Sequence, residues 1–207
     1  MNKYLTELIG TFFLVLVIGL TGNPIAIGGI LVVMVYMGGH ISGAHYNPAV
    51  TLAVYMRKKL DAKDAMMYMI FQITGAILAA VVYHLIKGHA FAPAPAENFH
   101  YNLKPLMVEM LFTFALTMVI LNVATHSKTT GNSFYGIAIG FTVLAAAFAG
   151  GPISGGAFNP AVAAGPILID TIMGGHSINH IWIYIVGPFT GSAIAAIVYT
   201  FMNPEEK

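Results

Sequence analysis

The chain has no cysteine, which excludes disulfides, thiolate catalysis and cysteine-based zinc sites together. Charge is almost as scarce. Lys, Arg, Asp and Glu make up 8% of the 207 residues, against roughly 25% in a soluble domain. So few charges cannot cover a folded surface in water, and a soluble enzyme and a disordered chain are excluded. A formal net charge of +1 leaves no basic face for nucleic acid. The eight histidines are scattered without metal-ligand spacing, so no metal and no cofactor is implied. What is abundant is apolar: 57% of residues are hydrophobic and the mean hydropathy is +0.78. An integral membrane protein remains. The first twenty residues lack a basic start beyond Lys3 and a small-residue cleavage site, and Glu7 interrupts them early. They read as a first membrane span, not as a leader.

A span needs about 20 apolar residues. The pattern predicts six, at 4–20, 25–40, 64–86, 105–125, 134–150 and 180–202. Two further apolar stretches, 48–56 and 160–169, are too short. At 1.5 Å per residue each covers about 15 Å, half of a ~30 Å hydrocarbon core. Each follows a Gly-rich polar segment, and irregular backbone at membrane depth survives only where it lines a cavity or is buried in protein. Both therefore read as re-entrant loops returning through a half-helix. With an inner N-terminus, the inner segments carry Lys3, Arg57, Lys58, Lys59, Lys63, Lys128 and Lys207, and the outer ones Lys87 and Lys104. The excess of inner charge predicts cytoplasmic N- and C-termini. The expected class is an all-α integral membrane protein with six spans and two half-helices, forming one channel domain.

The two halves, about 1–90 and 103–207, repeat. Ile41–Val50 (ISGAHYNPAV) and Ile153–Val162 (ISGGAFNPAV) share seven of ten positions. Thr74-Gly75 echoes Thr190-Gly191, and Glu7 with Thr11-Phe12 echoes Glu109 with Thr113-Phe114. Three spans per half make the repeat inverted, an arrangement that puts the functional site at the midplane between broken helices.

Asn47-Pro48-Ala49 and Asn159-Pro160-Ala161 each open a half-helix: Asn is a favoured cap and Pro suits the first helical position. The Asn oxygen accepts from the first turn, leaving two amide donors to point sideways. Two such caps meeting near the bilayer centre present donors to a passing oxygen atom. Two positive helix ends there oppose cations and protons. Backbone carbonyls of Gly43, Ala44 and His45, and of Gly155, Gly156 and Ala157, are candidate acceptors along each half-channel. One Asn-Pro-Ala is only a helix start. Two copies behind Ile-Ser-Gly, 112 residues apart in an apolar chain, specify much more.

On these residues, and across nearly its whole length, the chain resembles the major intrinsic protein family of aquaporins and aquaglyceroporins. The resemblance implies a homotetramer in the plasma membrane, in contact with lipid, each subunit holding a passive pore for water and small uncharged solutes. It assigns pore-lining to His45 and loop-anchoring to Glu7 and Glu109. The departure lies at Val162, where most members carry the arginine of the outer selectivity filter. Ungapped counting from the two Asn residues puts the other filter positions at Ile27, Ala147 and Gly156. A wide, apolar filter is expected. Some plant vacuolar-membrane members carry Val at that position, and their relatives include channels for ammonia, urea and hydrogen peroxide, so a same-fold channel mainly for those solutes, carbon dioxide or glycerol is the alternative. Ala163, where glycerol channels usually carry Asp, argues mildly against a dedicated glycerol channel. An ion-coupled transporter would require ionisable groups on the pathway, and only the two glutamates are available. No catalytic set is present. Tyr36, Tyr55, Tyr68, Tyr101 and Trp182 are candidates for the membrane interfaces.

Overall fold

The computed structural model describes residues 1–99 and 103–206. Tyr101 and Lys207, used above for an interface and for the charge asymmetry, lie outside the described residues. Eight α-helices form: α1 (Asn2–Thr21), α2 (Pro24–Ser42), α3 (Pro48–Met56), α4 (Ala62–Lys87), α5 (Lys104–Ala124), α6 (Tyr135–Ser154), α7 (Pro160–Ile172) and α8 (Ile181–Met202). No strand occurs among the described residues. All but the two half-helices, α3 and α7, belong to helical stretches long and apolar enough to cross a membrane.

The helix ends follow local chemistry. Gly22 closes α1 in the left-handed region, and Asn23 at once caps α2, accepting the Ile25 N–H at 2.8 Å with Pro24 at the first position. Asp61 opens α4 by accepting the Asp64 N–H at 2.8 Å. Two helices run well past their expected ends. Helix α6 continues through Gly150-Gly151-Pro152 to Ser154, its last turn closed by the Gly155 N–H on the Gly151 carbonyl at 2.9 Å. Helix α7 continues past Asp170, whose carboxylate accepts from the Ser177 hydroxyl and thereby braces the exit loop.

The packing is two-fold. Helix α1 packs on α4 as α5 packs on α8, and α1 meets α2 as α5 meets α6. Half-helix α7 lies against α4 as α3 lies against α8, while α2 crosses its own counterpart α6. Glycine permits the closest approaches. A Cβ at Gly75 would collide with the Leu8 carbonyl oxygen, and one at Gly191 with that of Met110. Large apolar side chains such as Phe141, Leu85 and Phe201 face outward, as a lipid-facing surface requires.

One face of the molecule gathers the chain ends. Lys3 pairs with Asp64. Arg57, at the end of α3, donates to the Glu206 carbonyl at 2.7 Å and stacks over Tyr199 at 4.3 Å. Glu206 also accepts the Ser127 N–H at 3.0 Å. Those Ser127 bonds first, then His126 and Arg57, hold the Glu206 carboxyl down at about 2. What this adds to stability is thus present above the ordinary carboxylate range and lost only as pH falls through about 2. Arg57 is a buried tether for the C-terminal turn, not a free surface cation. Tyr68, expected at an interface, is 2% exposed, and its hydroxyl donates to the Ser42 carbonyl at 2.8 Å.

Candidate functional site

The two half-helices start from the same backbone device. Asn47 Oδ1 accepts the Ala49 N–H at 2.9 Å, and Asn159 Oδ1 accepts the Ala161 N–H at 2.9 Å. The residue before each cap is left-handed: Tyr46 has φ 49 and Phe158 φ 50. Non-glycine residues held there cost about 1–3 kcal/mol and need support from around them. That backbone turns each pre-cap carbonyl toward the opposite half. Asn47 Nδ2 donates to the Phe158 carbonyl at 2.9 Å, and Asn159 Nδ2 donates to the Tyr46 carbonyl at 2.8 Å. The sequence suggested two free donors on each Asn. The structure commits one of each to this reciprocal clasp, because a buried carbonyl outside a helix must find a partner. One N–H per Asn is left for a solute.

The clasp and the cap separate by substitution. Asn159→Ser keeps an oxygen for the cap but is too short to reach Tyr46. The orphaned carbonyl should lower stability by about 1–3 kcal/mol. Asn159→Ala loses the cap as well and should fall about 0.5–2 kcal/mol further. Thermal unfolding in detergent checks the order, and an Ala variant as stable as the Ser variant would remove the cap from the account.

Two buried carboxylates hold the strained loops. Glu7 Oε1 accepts from the Ser42 hydroxyl at 2.7 Å and the His45 N–H at 3.0 Å. Its Oε2 accepts from the Tyr46 N–H at 2.7 Å and Gln72 Nε2 at 2.8 Å. Glu109 repeats the pattern with one donor fewer: Ser154 hydroxyl at 2.7 Å, Ala157 N–H at 3.0 Å and Phe158 N–H at 2.6 Å. The missing donor has a simple cause. Gln72 precedes Thr74-Gly75 by two residues, and Pro188 holds that place before Thr190-Gly191. Neither carboxylate lines the cavity between the halves.

That cavity has a volume of about 30 Å³, room for about two water molecules. Its lining is paired across the repeat. Leu14 and Ile18 of α1 answer to Leu116 and Ile120 of α5, and Ile27 and Leu31 of α2 answer to Ile139 and Val143 of α6. Val50 and Val162 follow the two caps, Ala44 answers to Gly156, and Tyr46 to Phe158. The Tyr46 hydroxyl donates to the Met34 carbonyl at 2.8 Å and so is engaged by α2. The remaining pair breaks the symmetry: His45 stands where the other half has Ala157.

Of the expected filter positions, Ile27, Gly156 and Val162 line this cavity. From α6 the lining residues are Ile139 and Val143, and Ala147, one turn further on, is not among them. Ala44, His45 and Ala157 line it too, whereas Gly43 lines a second chamber of about 270 Å³ below it. Gly155 lies away from the cavity, packed against Ala94 and the Tyr184 hydroxyl. The surroundings of Val162 are apolar, but bulky aliphatic chains from four helices close in on the space. The lining residues missed in the sequence include Leu31, Val50, Ile139 and Val143 and those on α1 and α5. Glu7, Thr11, Leu14 and Ile18 follow one helix stripe, as do Glu109, Thr113, Leu116 and Ile120, and that spacing was the available signal.

Comparison with known proteins agrees with this architecture. The aquaglyceroporin of Plasmodium falciparum superposes with a TM-score of 0.87 over 99% of this chain and 98% of its own, at 22% identity. A "Glycerol uptake facilitator protein-like 6" of Lactiplantibacillus plantarum is 36% identical over all of both chains. "Probable aquaporin NIP4-2" of Arabidopsis thaliana is 37% identical over the whole of this chain and 76% of its own. The description of the major intrinsic protein family matches residues 1–199, and the chain belongs to that family.

Proposed function

We propose that this passive channel for water and small neutral solutes selects without a filter arginine. The carrying observation is the cross-bonded Asn47–Asn159 pair set in an otherwise aliphatic cavity. Each Asn keeps one amide donor, so a solute's oxygen is held at the centre, and a file of water is broken there into two orientations. The half-helix ends add positive potential at the same point. Among the described residues no Lys or Arg lines the cavity with Val162, so proton exclusion rests on the Asn pair and the two helix ends. Relatives described as an aquaporin and as a glycerol uptake facilitator-like protein support both water and a small uncharged solute as cargo. The apolar lining around Ile27 and Val162 favours the second reading, in which ammonia, hydrogen peroxide, carbon dioxide, urea or glycerol is the main cargo.

The proposed setting is a homotetramer in the plasma membrane with both termini cytoplasmic, each subunit a single channel domain built from the repeats 1–90 and 103–207. Stopped-flow light scattering of proteoliposomes after an osmotic step tests the function. Shrinkage faster than in protein-free liposomes is expected. Equal rates would sink the water reading and bring the dissolved gases and ammonia forward.

A further inference from the structure

We infer that the constriction that sets solute selectivity in this channel is the imidazole of His45, not the ring around Val162. The inference rests on the channel reading above. At one end of the cavity stand Ile18, Ile27 and Val162. At the other stand their counterparts Ile120, Ile139 and Val50. Two near-identical aliphatic rings sieve alike, so neither of them alone makes one end the filter. The pair that differs most in size and polarity is the ninth. Ala157 contributes a methyl group, whereas His45 contributes a five-membered ring with a polar edge.

The ring sits at a junction. His45 and Ile120 line both the central cavity and the chamber that reaches Lys59 and Thr125 on the face of the chain ends. A solute leaving the Asn pair toward that face passes the imidazole. The ring is also fixed. Its Nδ1 lies 3.1 Å from Thr51 Oγ1, and its plane meets Tyr68 edge-on at 5.2 Å.

The hydrogen-bond pattern assigns its tautomer. Thr51 gives its single hydroxyl proton to the Asn47 carbonyl at 3.0 Å, and its oxygen accepts from Gln72 Nε2 at 3.0 Å. The remaining lone pair can only accept, so the neutral ring carries its proton on Nδ1. Nε2, on the side of Gly43, is left as an acceptor. A solute therefore meets amide donors at the centre and an acceptor at the throat. Water satisfies both in one small molecule. A larger solute must in addition pass a ring that its brace does not allow to swing aside.

The test measures urea and water permeability in the same proteoliposomes for the wild type, His45→Ala and Val162→Ala. His45→Ala should raise the urea-to-water ratio about tenfold, the equivalent of ~1.4 kcal/mol of barrier, and Val162→Ala should raise it by a clearly smaller factor. His45→Asn keeps an N–H for Thr51 but removes the ring, and should match His45→Ala; it carries the test if the alanine variant does not reconstitute. A Val162→Ala shift equal to or larger than the His45 shift overturns the inference while leaving the channel intact. Wild-type proteoliposomes no more permeable to water or urea than empty ones overturn the channel reading, and the inference with it.

Discussion

Glu7→Ala is expected to yield no recoverable folded protein. Four donors converge on that carboxylate: the Ser42 hydroxyl, the His45 and Tyr46 N–H groups and the Gln72 amide. Glu7 is completely buried, so no bulk water replaces it. Each buried donor left unpaired costs about 1–3 kcal/mol, and a whole domain is stable by only about 5–15 kcal/mol. The same residues hold Tyr46 in its left-handed conformation, so the clasp to Asn159 fails with them. Glu7→Gln should be the intermediate case, because either orientation of the amide turns its NH₂ toward two donors. Glu109→Gln should be the mildest, since Oε2 there takes only the Phe158 N–H. Yield of monodisperse protein and unfolding temperature in detergent check the order. A Glu109→Gln protein as damaged as Glu7→Ala would show that donor count does not govern these sites. The folded Glu109→Gln protein also discriminates between mechanisms. Neither glutamate lines the cavity, so flux should persist and need no proton gradient, whereas a proton relay would lose its coupling.

The half-helices were legible in the sequence because their signals are local. Asn-Pro sets a start, and nine apolar residues before Arg57-Lys58 set the length of α3 to the residue. The ends of α6 and α7 were less legible because what extends them is not local. Gly-Gly-Pro reads as a break, yet α6 passes through it to place Ser154 on Glu109. Asp170 reads as an exit to water, yet Ser177 seven residues on holds it and α7 continues. The Asn clasp was half legible. The sequence shows the cap and the spare donors, but that one donor of each is spent depends on the left-handed turn at the opposite pre-cap residue. Counting from the motifs picked out Ile27, Gly156 and Val162, which line the cavity. On α6 the cavity is lined at Ile139 and Val143 and not at the counted Ala147, because lining depends on how α6 packs against α2 and not on distance along the chain from Asn159.

Val162→Arg is expected to convert the pore into a water-favouring one, with urea and glycerol permeability falling at least about tenfold, or ~1.4 kcal/mol of added barrier, and water permeability falling less. The whole cavity that Val162 lines is only about 30 Å³, room for about two water molecules, so a guanidinium placed there takes volume that a larger solute needs. It also brings fixed charge into a wall of Leu14, Ile27 and Leu31. Removing a guanidinium from water costs several kcal/mol unless it is paired, so some loss of folded yield should accompany the gain in discrimination. Proton leak, read as the decay of a pH gradient in the same vesicles, should fall in the variant, since a positive charge would then support the Asn pair and the helix ends. If urea and water permeability instead fall by the same factor, the added side chain is a plug and not a filter, and apolar width at Val162 is not what admits larger solutes. Although this side chain acts at the opposite end of the cavity from His45, the two substitutions should not simply add. A Val162→Arg, His45→Ala double variant should retain the low urea-to-water ratio of the arginine variant, because a solute in single file is limited by its narrowest ring.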